Sequence, residues 1–565
     1  MAGTGEHEMK SMGVEELSGS HLQEDNDAHH LRDLGYDQQL KVGTWTSGSK
    51  NMLMLMLAQL RILFQPRSGH DSDGDLGSFH GGFRHSVDQW WPSAYFATSC
   101  NYTPANTDLR EVALVYGFIF CFVGTLATCA SLAEYASILT QLANFRSSVS
   151  LGHRVGSEEI FPHHQLDPRM DHLLGLATHN GLACLSRSHH HQALLVLNYR
   201  TTYMFQRWHG TLIYLLITWM GAVVNVGFAR WLPRLEGFLL VWHILGFFAI
   251  LIPLVYLAPE QNTASFVWTS TADADAWPNY GIALCIGVTT STFPFVGYDA
   301  ASHMAEEVHN PKVVIPRAMI GTILINGLLG FGMIIALLFS TGDPTALLES
   351  PVSLAGYPFI QIYYNAVQSL PATNAMTAVS LVIVIMANFG LQAGCSRTVW
   401  AFARDKGLPA SRYLEHVSPR SQVPFRAVML SVAIQSLLGL INIGSSTAFN
   451  AFVNSAAVTL YITYITPVIL GVLKRMRGEP IPYGPFSLGK YRNFVNGFAI
   501  VYTLFTSFFL LWPIMISPTA ANMNWSIVLV GAVVLFSIFW WFVEGRKSFD
   551  RPNIDTTLHQ HVATD

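Results

Sequence analysis

Ten predominantly apolar runs of about 20 residues each follow one another between residues 112 and 544. A helix needs about 20 such residues to cross the hydrocarbon core of a bilayer. Only 12% of the 565 residues are charged, whereas soluble domains carry about 25%. The pattern predicts one all-α polytopic membrane protein. The runs lie at 112–138, 211–229, 236–257, 280–305, 318–340, 375–400, 425–443, 447–473, 494–516 and 525–544.

Lys and Arg alternate between the loops of this bundle. The loops 258–279, 341–374, 444–446 and 517–524 contain neither residue, whereas the intervening loops contain several. Short cytoplasmic loops carry an excess of Lys and Arg, so the alternation predicts a cytoplasmic C-terminus. We expect a disordered cytoplasmic N-terminal tail, a membrane domain and a cytoplasmic C-terminal tail, at 1–48, 49–545 and 546–565.

Other classes of function find little support in the residues. The six cysteines are scattered without a C-x-x-C pair, which indicates neither a metal site nor a disulfide framework. The histidines at 163–164 and 189–191 fit no known ligand spacing, and no carboxylate accompanies them. No basic block with interleaved aromatic residues indicates a nucleic-acid partner. Paired catalytic carboxylates and nucleophile motifs are also missing, so we expect no enzyme, no cofactor and no metal.

The run at 280–305 is interrupted by TFPFVG at 292–297. Pro294 removes a backbone donor and clashes with the preceding turn, and Gly297 has no side chain to stabilise a helix. In hydrocarbon, the freed backbone groups must be satisfied by protein, water or a ligand. Transporters place substrate sites at such breaks, but proline kinks that serve packing alone are also common. The pattern predicts a broken helix and leaves both interpretations open.

Four ionisable residues follow the break: Asp299, His303, Glu306 and Glu307. Their spacing of i, i+4, i+7 and i+8 places them on one helical face. Ionisable groups in a membrane helix are costly and usually face a bundle interior or a wet pathway. Glu306 and Glu307 stand near the helix end, where headgroup water is an alternative environment. Asp299 and His303 are deeper and are the better functional candidates.

Several stretches carry a family resemblance. They are FPFVGYDAASHMAEEVHNPKVVIPRAM in the broken run, SRTVWAFARDKGLP at 396–409, FQRWHGTLIY at 205–214 and LVYGFIFCFVGTLATCASLAEYASI at 114–138. These motifs closely resemble fungal amino acid/choline permeases of the amino acid–polyamine–organocation superfamily. The resemblance covers 114–138 and 203–547.

The resemblance implies a leucine-transporter-like bundle of twelve helices, in which five helices repeat upside down in the next five and two more follow. Helices one and six are both broken and bind substrate between them. By position, the run at 280–305 is helix six and the run at 112–138 is helix two. Helices eight and ten contribute Asn388, Gln392 and Asn454 as polar candidates, although such residues also commonly form interhelical hydrogen bonds.

The position of single residues at the break predicts their roles. Backbone groups around the break would hold the charged ends of a substrate, Phe293 and Phe295 would act as gates, and Asp299 would serve a proton or cation. The expected substrate site comprises Thr292, Phe293, Phe295, Gly297, Asp299, Asn388, Gln392 and Asn454. The expected coupling residues are Asp299, His303 and Glu306.

Two stretches interrupt the resemblance. Residues 61–106 stand where helix one is expected, and residues 139–200 where the end of helix two and helix three are expected. Both are polar and rich in His, Arg and Ser, at nearly preserved length, which is typical of a shifted reading frame or a misjudged splice site. We hypothesise two local translation or gene-model errors. A chain of only ten helices with a cytoplasmic N-terminus would insert 112–138 upside down relative to the family.

We therefore expect a secondary active permease that works by alternating access and imports an amino acid, γ-aminobutyrate, choline or a polyamine. We expect a proton to be the coupled ion, because protonatable residues follow the break, and sodium coupling and uniport are the alternatives. The plasma membrane, with both termini cytoplasmic, is the expected location. The alternative is a non-transporting membrane sensor or a decayed remnant that lacks helices one and three. A transporter without helix one has lost half its substrate site, since each half of an inverted repeat supplies one broken helix.

Overall fold

The computed structural model describes residues 111–138, 188–199, 202–269, 279–303, 310–354, 357–404, 406–418, 423–444, 446–479, 481, 483–513, 516–519, 523–540 and 542–543. Both predicted tails, the segment 61–106 and most of 139–200 lie outside these ranges, as do Glu306 and Glu307.

Within these ranges the chain forms helices and short turns. Seventeen α-helices are numbered here in chain order. They are α1 Glu111–Ile138, α2 188–198, α3 Arg207–Gly227, α4 Leu232–Leu257, α5 Ala264–Thr269, α6 Tyr280–Thr290, α7 Ala300–His303, α8 Pro311–Phe339, α9 Pro344–Glu349, α10 Pro351–Leu354, α11 Pro358–Val367, α12 Leu370–Arg404, α13 Ser411–Leu414, α14 Phe425–Gly444, α15 Ser446–Met476, α16 Arg492–Leu510 and α17 Ser526–Trp540.

Nine helical segments in the described part of the chain are long and apolar enough to cross a membrane, and each coincides with a predicted run. The tenth run corresponds to the shorter helix α17. Some predicted bounds were wrong. Helix α8 begins at Pro311 rather than 318, because a proline at the first helical position lacks only an N–H that would be unpaired anyway. Helix α16 ends at Leu510 rather than 516, because Pro513 prevents its continuation.

The spans pack as two connected groups. Helix α1 packs against α6, α8, α15 and α16, while α12 packs against α3, α4 and α14, and α3 packs against α14. Contacts of α4 with α8 and of α14 with α15 join the groups. Glycines allow α1 to approach its neighbours closely, since a Cβ on Gly117 would lie 2.9 Å from the Cα of Val288. A Cβ on Gly124 would lie 2.1 Å from the ring of Tyr502.

The C-terminal end of α1 lies at the Lys/Arg-rich end of the bundle. Ser137 Oγ donates to the carbonyl of Lys312 at 2.9 Å, and Arg492 Nε lies 2.9 Å from a carboxylate oxygen of Glu134. The buried Glu134 carboxylate needs a cationic partner, and the loop that supplies it is predicted to be cytoplasmic. The C-terminal end of α1 therefore lies on the same side of the bundle as the Lys/Arg-rich loops, whereas the upside-down insertion of 112–138 would place it at the opposite end.

The loop between α8 and α12 contains a helix with apolar and aromatic residues at helical spacing. Helix α11 spans Pro358–Val367, and six of its ten residues are buried. It packs against α4 and α12, so it covers one end of the second group.

Helix α2 packs onto this covering helix through His190. The His190 ring stacks on Tyr357 with centroids 5.3 Å apart and meets Phe359 edge-on at 5.2 Å. Its side chain is 2% exposed. Burial, and to a smaller degree the neighbouring His191, lowers the pKa of His190 to about 3.

This histidine makes stability depend on pH. Its pKa is lower in the folded protein than the roughly 6.5 of an exposed histidine, so protonation favours unfolding. The contribution is fully present above about pH 6.5 and falls by up to about 1.4 kcal/mol per pH unit toward pH 3. We expect His190→Phe, which keeps the ring but cannot titrate, to flatten the acid decline of the melting temperature in detergent. An acid decline identical to that of the unaltered protein would contradict this assignment.

Candidate functional site

The broken helix forms as predicted, but its break is longer. Helix α6 ends at Thr290, a single 3₁₀ turn spans Phe293–Phe295, and α7 begins at Ala300. Gly297 has φ 94°, a conformation that favours glycine because a side chain there meets the backbone. The non-helical segment therefore extends to Asp299.

Asp299 consequently lies inside the break and not on the helix that follows it. Its backbone carbonyl accepts bonds from the N–H of Ser302 at 2.8 Å and from the Ser302 hydroxyl at 2.6 Å. Asp299 was predicted to share a helical face with His303 at spacing i, i+4. His303 is the last residue of α7, but Asp299 lies one residue before the helix begins. The residue is 3% exposed.

Tyr464 of α15 connects the two polar parts of the break. Its phenol oxygen accepts a bond from the N–H of Gly297 at 3.2 Å and donates one to Oδ1 of Asp299 at 2.5 Å. Its ring lies 4.7 Å from that of Tyr298. A single phenol therefore links the backbone of the break to the buried carboxyl group.

Helix α1 forms a second wall of the break. The ring of Phe295 lies 4.8 Å from that of Phe118 and 6.0 Å from that of Phe122. One turn away, Cys121 Sγ lies 3.5 Å from the hydroxyl of Thr292 and donates to the carbonyl of Val288 at 3.3 Å. Thr292 is fully buried, so the start of the break is held by sulfur and aromatic contacts with α1.

A cluster of hydroxyl groups lies beside this wall. Thr125 of α1, Tyr461 of α15 and Tyr502 of α16 form a triangle with oxygen–oxygen distances of 3.4, 3.1 and 3.2 Å. All three residues are buried. Since Tyr461 and Tyr464 stand one turn apart on α15, the triangle fixes the helix that carries the Asp299 contact.

Two of the predicted polar site residues, Asn388 and Gln392, contact α3 in this structure. Asn388 of α12 is fully buried and donates to the carbonyl of Ile217 at 3.2 Å. A Cβ on Gly221 would lie 2.7 Å from its amide nitrogen and 3.8 Å from Cβ of Gln392. Both side chains thus face α3, as interhelical hydrogen bonding predicts. Asn454 of α15 is half-buried and precedes Tyr464 by ten residues, about 15 Å along a helix.

The structure brings Thr292, Phe295, Gly297 and Asp299 together with residues that the sequence reasoning missed. Tyr464, Cys121 and Phe118 are the main additions. Two signals pointed toward them. Gly117 and Gly124 stand seven residues apart, as small residues do at a helix–helix interface, and Tyr461 and Tyr464 are hydroxyl-bearing residues one turn apart in an otherwise apolar run.

The arrangement can couple the state of a carboxyl group to the backbone of the break. The Tyr464 phenol donates to Asp299 and accepts from Gly297, so a proton or cation that binds Asp299 weakens the first bond and frees the phenol to turn. Buried ionisable groups of this kind mark ion and substrate pathways in membrane proteins. No group of three potential metal ligands occurs among the described residues.

Comparisons with known proteins agree on one family. The amino acid permease family matches residues 93–533. Similar proteins include the choline transporter of Saccharomyces cerevisiae, 33% identical over 61% of this chain and 60% of that protein. Amino-acid permease 2 of Neurospora crassa is 31% identical over 62% of each chain. Amino-acid permease BAT1 of Arabidopsis thaliana is 32% identical over 55% of this chain and 61% of its own.

The matched part of the chain spans about three fifths of the length of these relatives. The family match itself covers most of the chain, including the broken helix, the Asp299–Tyr464 contact and all nine long spans. It confirms the family that the motifs resemble and the all-α polytopic fold that the apolar runs predict. The chain belongs to the amino acid permease family.

Proposed function

We propose that this protein is a secondary active transporter of a small nitrogenous solute and not an enzyme. The observation that carries the proposal is the break in the fourth long span, where a buried carboxyl group, a phenol and a glycine N–H form one hydrogen-bonded unit. Membrane transporters bind substrates at discontinuous helices of this kind. Membership of the permease family supports the same function.

In the proposed mechanism the break alternates between exposure to the two sides of the membrane. Thr292 and the backbone to Gly297 hold the charged ends of the solute, and Phe293 and Phe295 close over it. Phe295 already packs between Phe118 and Phe122, an aromatic lining suited to exclude water from a bound solute. Asn388, Gln392 and Asn454 remain candidates for contacts made in another conformation of the cycle.

Asp299 is the proposed coupling residue, assisted by His303 and Glu306. A proton on Asp299 neutralises the only carboxyl group in the described part of the break and changes its bond to Tyr464. Proton binding and the conformation of Gly297 are then linked, which is the requirement for coupled transport.

The proposed solutes are amino acids, γ-aminobutyrate, choline and polyamines. The names of the similar proteins, an amino-acid permease and a choline transporter, support amino acids and choline within this range. The proposed location is the plasma membrane, with both termini cytoplasmic. The alternation of Lys and Arg among the loops supports the cytoplasmic side for the C-terminus.

Uptake into liposomes tests the function directly. The full chain is reconstituted into phosphatidylcholine vesicles, a pH gradient is imposed, and radiolabelled leucine, arginine, γ-aminobutyrate, choline and spermidine are compared. We expect at least one solute to accumulate above its equilibrium level and the accumulation to collapse with a proton ionophore. Absence of uptake by protein that melts cooperatively would overturn the proposal and favour the sensor or decayed remnant.

A further inference from the structure

The inner end of the bundle contains a compact polar cluster that the transport mechanism does not use. It lies where the last turns of α1 and α15 meet the segment that leads into α16. Glu134 of α1 is fully buried, and its carboxylate accepts bonds from Arg492 Nε at 2.9 Å, the N–H of Leu488 at 2.7 Å and the hydroxyl of Ser487 at 3.2 Å. This carboxylate is fully satisfied by its own partners.

Three neighbouring groups are left without partners. The Nε, Nη1 and Nη2 atoms of Arg475 are buried and have no hydrogen-bonding partner in the described part of the chain. The same holds for the phenol oxygens of Tyr135 and Tyr483. Buried polar groups are normally hydrogen-bonded, and each exception calls for an explanation such as an ion. A guanidinium group with all three nitrogens unsatisfied is a particularly costly exception.

These groups lie close to one another. The Tyr135 hydroxyl rests on Gly471, where an added Cβ would be 1.9 Å from it, and Arg475 stands one turn further along α15. Tyr135 interacts electrostatically with Arg475, Tyr483 and the Glu134–Arg492 pair. The guanidinium of Arg492 lies 3.5 Å over the centre of the Tyr483 ring, which brings that tyrosine to the same place.

The charges of the cluster do not cancel. Arg492 neutralises Glu134, and Lys474 Nζ lies 3.8 Å from the carboxylate of Glu479. The positive charge of Arg475 is thus not neutralised by these pairs, and it lies beside two phenols that can donate hydrogen bonds. Tyr135 is only 1% exposed, so its hydroxyl has no access to bulk water as a substitute partner.

We propose that Arg475, Tyr135 and Tyr483 form a binding site for an oxyanion of the phosphate type. Guanidinium groups bind phosphate through two parallel N–H bonds, and the two phenols supply further donors to the remaining oxygens. Basic pockets between membrane helices on the cytoplasmic side are suited to anionic lipid headgroups. The same chemistry serves a phosphodiester headgroup of the inner leaflet and free phosphate.

The test uses the purified full chain in neutral detergent. In the first measurement, inorganic phosphate is titrated and the melting temperature of the protein is recorded. In the second, the protein is incorporated into nanodiscs of phosphatidylcholine with or without phosphatidylglycerol, and the lipid that stays bound is measured by native mass spectrometry. We expect Arg475→Gln to weaken the phosphate effect or the lipid retention at least about tenfold, the loss of one charge-assisted pair. The double variant Tyr135→Phe, Tyr483→Phe removes two hydroxyl oxygens and no charge. It should therefore weaken phosphate binding or lipid retention less than Arg475→Gln does.

Arg477→Gln is the matched control, because it removes the same charge two residues away from an exposed position. A saturable phosphate effect in lipid-free detergent assigns the site to the free anion. Retained phosphatidylglycerol without a phosphate effect assigns it to the headgroup. The proposal is overturned if neither probe binds, or if Arg475→Gln and the tyrosine double variant bind as the unaltered protein does. Transport activity does not enter these readouts, so their outcome is separate from that of the uptake experiment.

Discussion

Replacing Arg492 with Ala will destabilise the protein by about 3–5 kcal/mol, the usual cost of removing one partner of a buried ion pair. The reason is the carboxylate left behind. Glu134 is fully buried, and without the guanidinium it keeps one backbone N–H and one hydroxyl as donors among the described residues. The substitution also uncovers the Tyr483 ring. The expected result is a large fall in melting temperature and in yield of monodisperse protein.

Two comparisons isolate this cause. Adding Glu134→Gln to Arg492→Ala removes the uncompensated charge, so the double variant should be more stable than Arg492→Ala alone. Lys474→Ala breaks the partly exposed contact with Glu479 and should cost no more than about 1 kcal/mol. If the double variant melts at or below the single one, the orphaned carboxylate is not the cause of the loss.

Replacing Asp299 with Asn will reduce proton-driven uptake by about 10–100-fold, because a charge-assisted hydrogen bond of about 1.5–3 kcal/mol becomes a neutral one. The amide keeps an oxygen that can accept from Tyr464, so the packing of the break is preserved. It cannot bind a proton at that position. The remaining uptake is therefore expected to be the same in acidic and in neutral outer buffer, measured as initial rates in the liposome assay.

Asp343→Asn is the matched control. Asp343 caps α9 by accepting from the N–H of Thr345 at 2.9 Å, and asparagine caps helices equally well. This variant should transport with unchanged rate and pH dependence. Should Asp299→Asn retain the full pH dependence, Asp299 is not the coupling residue, and His303 and Glu306 become the next positions to test.

Much of the fold could be predicted from the residues because hydrocarbon imposes a local rule. Backbone polar groups in a bilayer must be paired, and a continuous α-helix pairs them within its own segment. Run length and hydropathy therefore predict helices, and Lys and Arg counts predict orientation. Errors concerned helix ends. Pro311 and Pro513 set them, and a proline beside a long apolar run can lie inside or outside the helix depending on the tertiary contacts around it.

The site was predicted only in part. Pro294 and Gly297 located the break, because their backbone restrictions act on the chain locally. Asn388 and Gln392 were expected at the same site, and in this structure both lie against α3. The spacing of residues along one helix determines which of them share a face of that helix. It does not determine which neighbouring helix packs against that face.

The sequence alone thus determined a polytopic helical membrane protein with one broken helix, and the motifs identified its family. Only the tertiary structure decided which residues act together. Tyr464 is 165 residues from Asp299, and Arg492 is 358 residues from Glu134. Such pairings depend on how helices pack, and no local propensity encodes the partner of a polar group so distant in the chain. For the same reason the sequence did not show that the buried guanidinium of Arg475 has no hydrogen-bonding partner among the described residues.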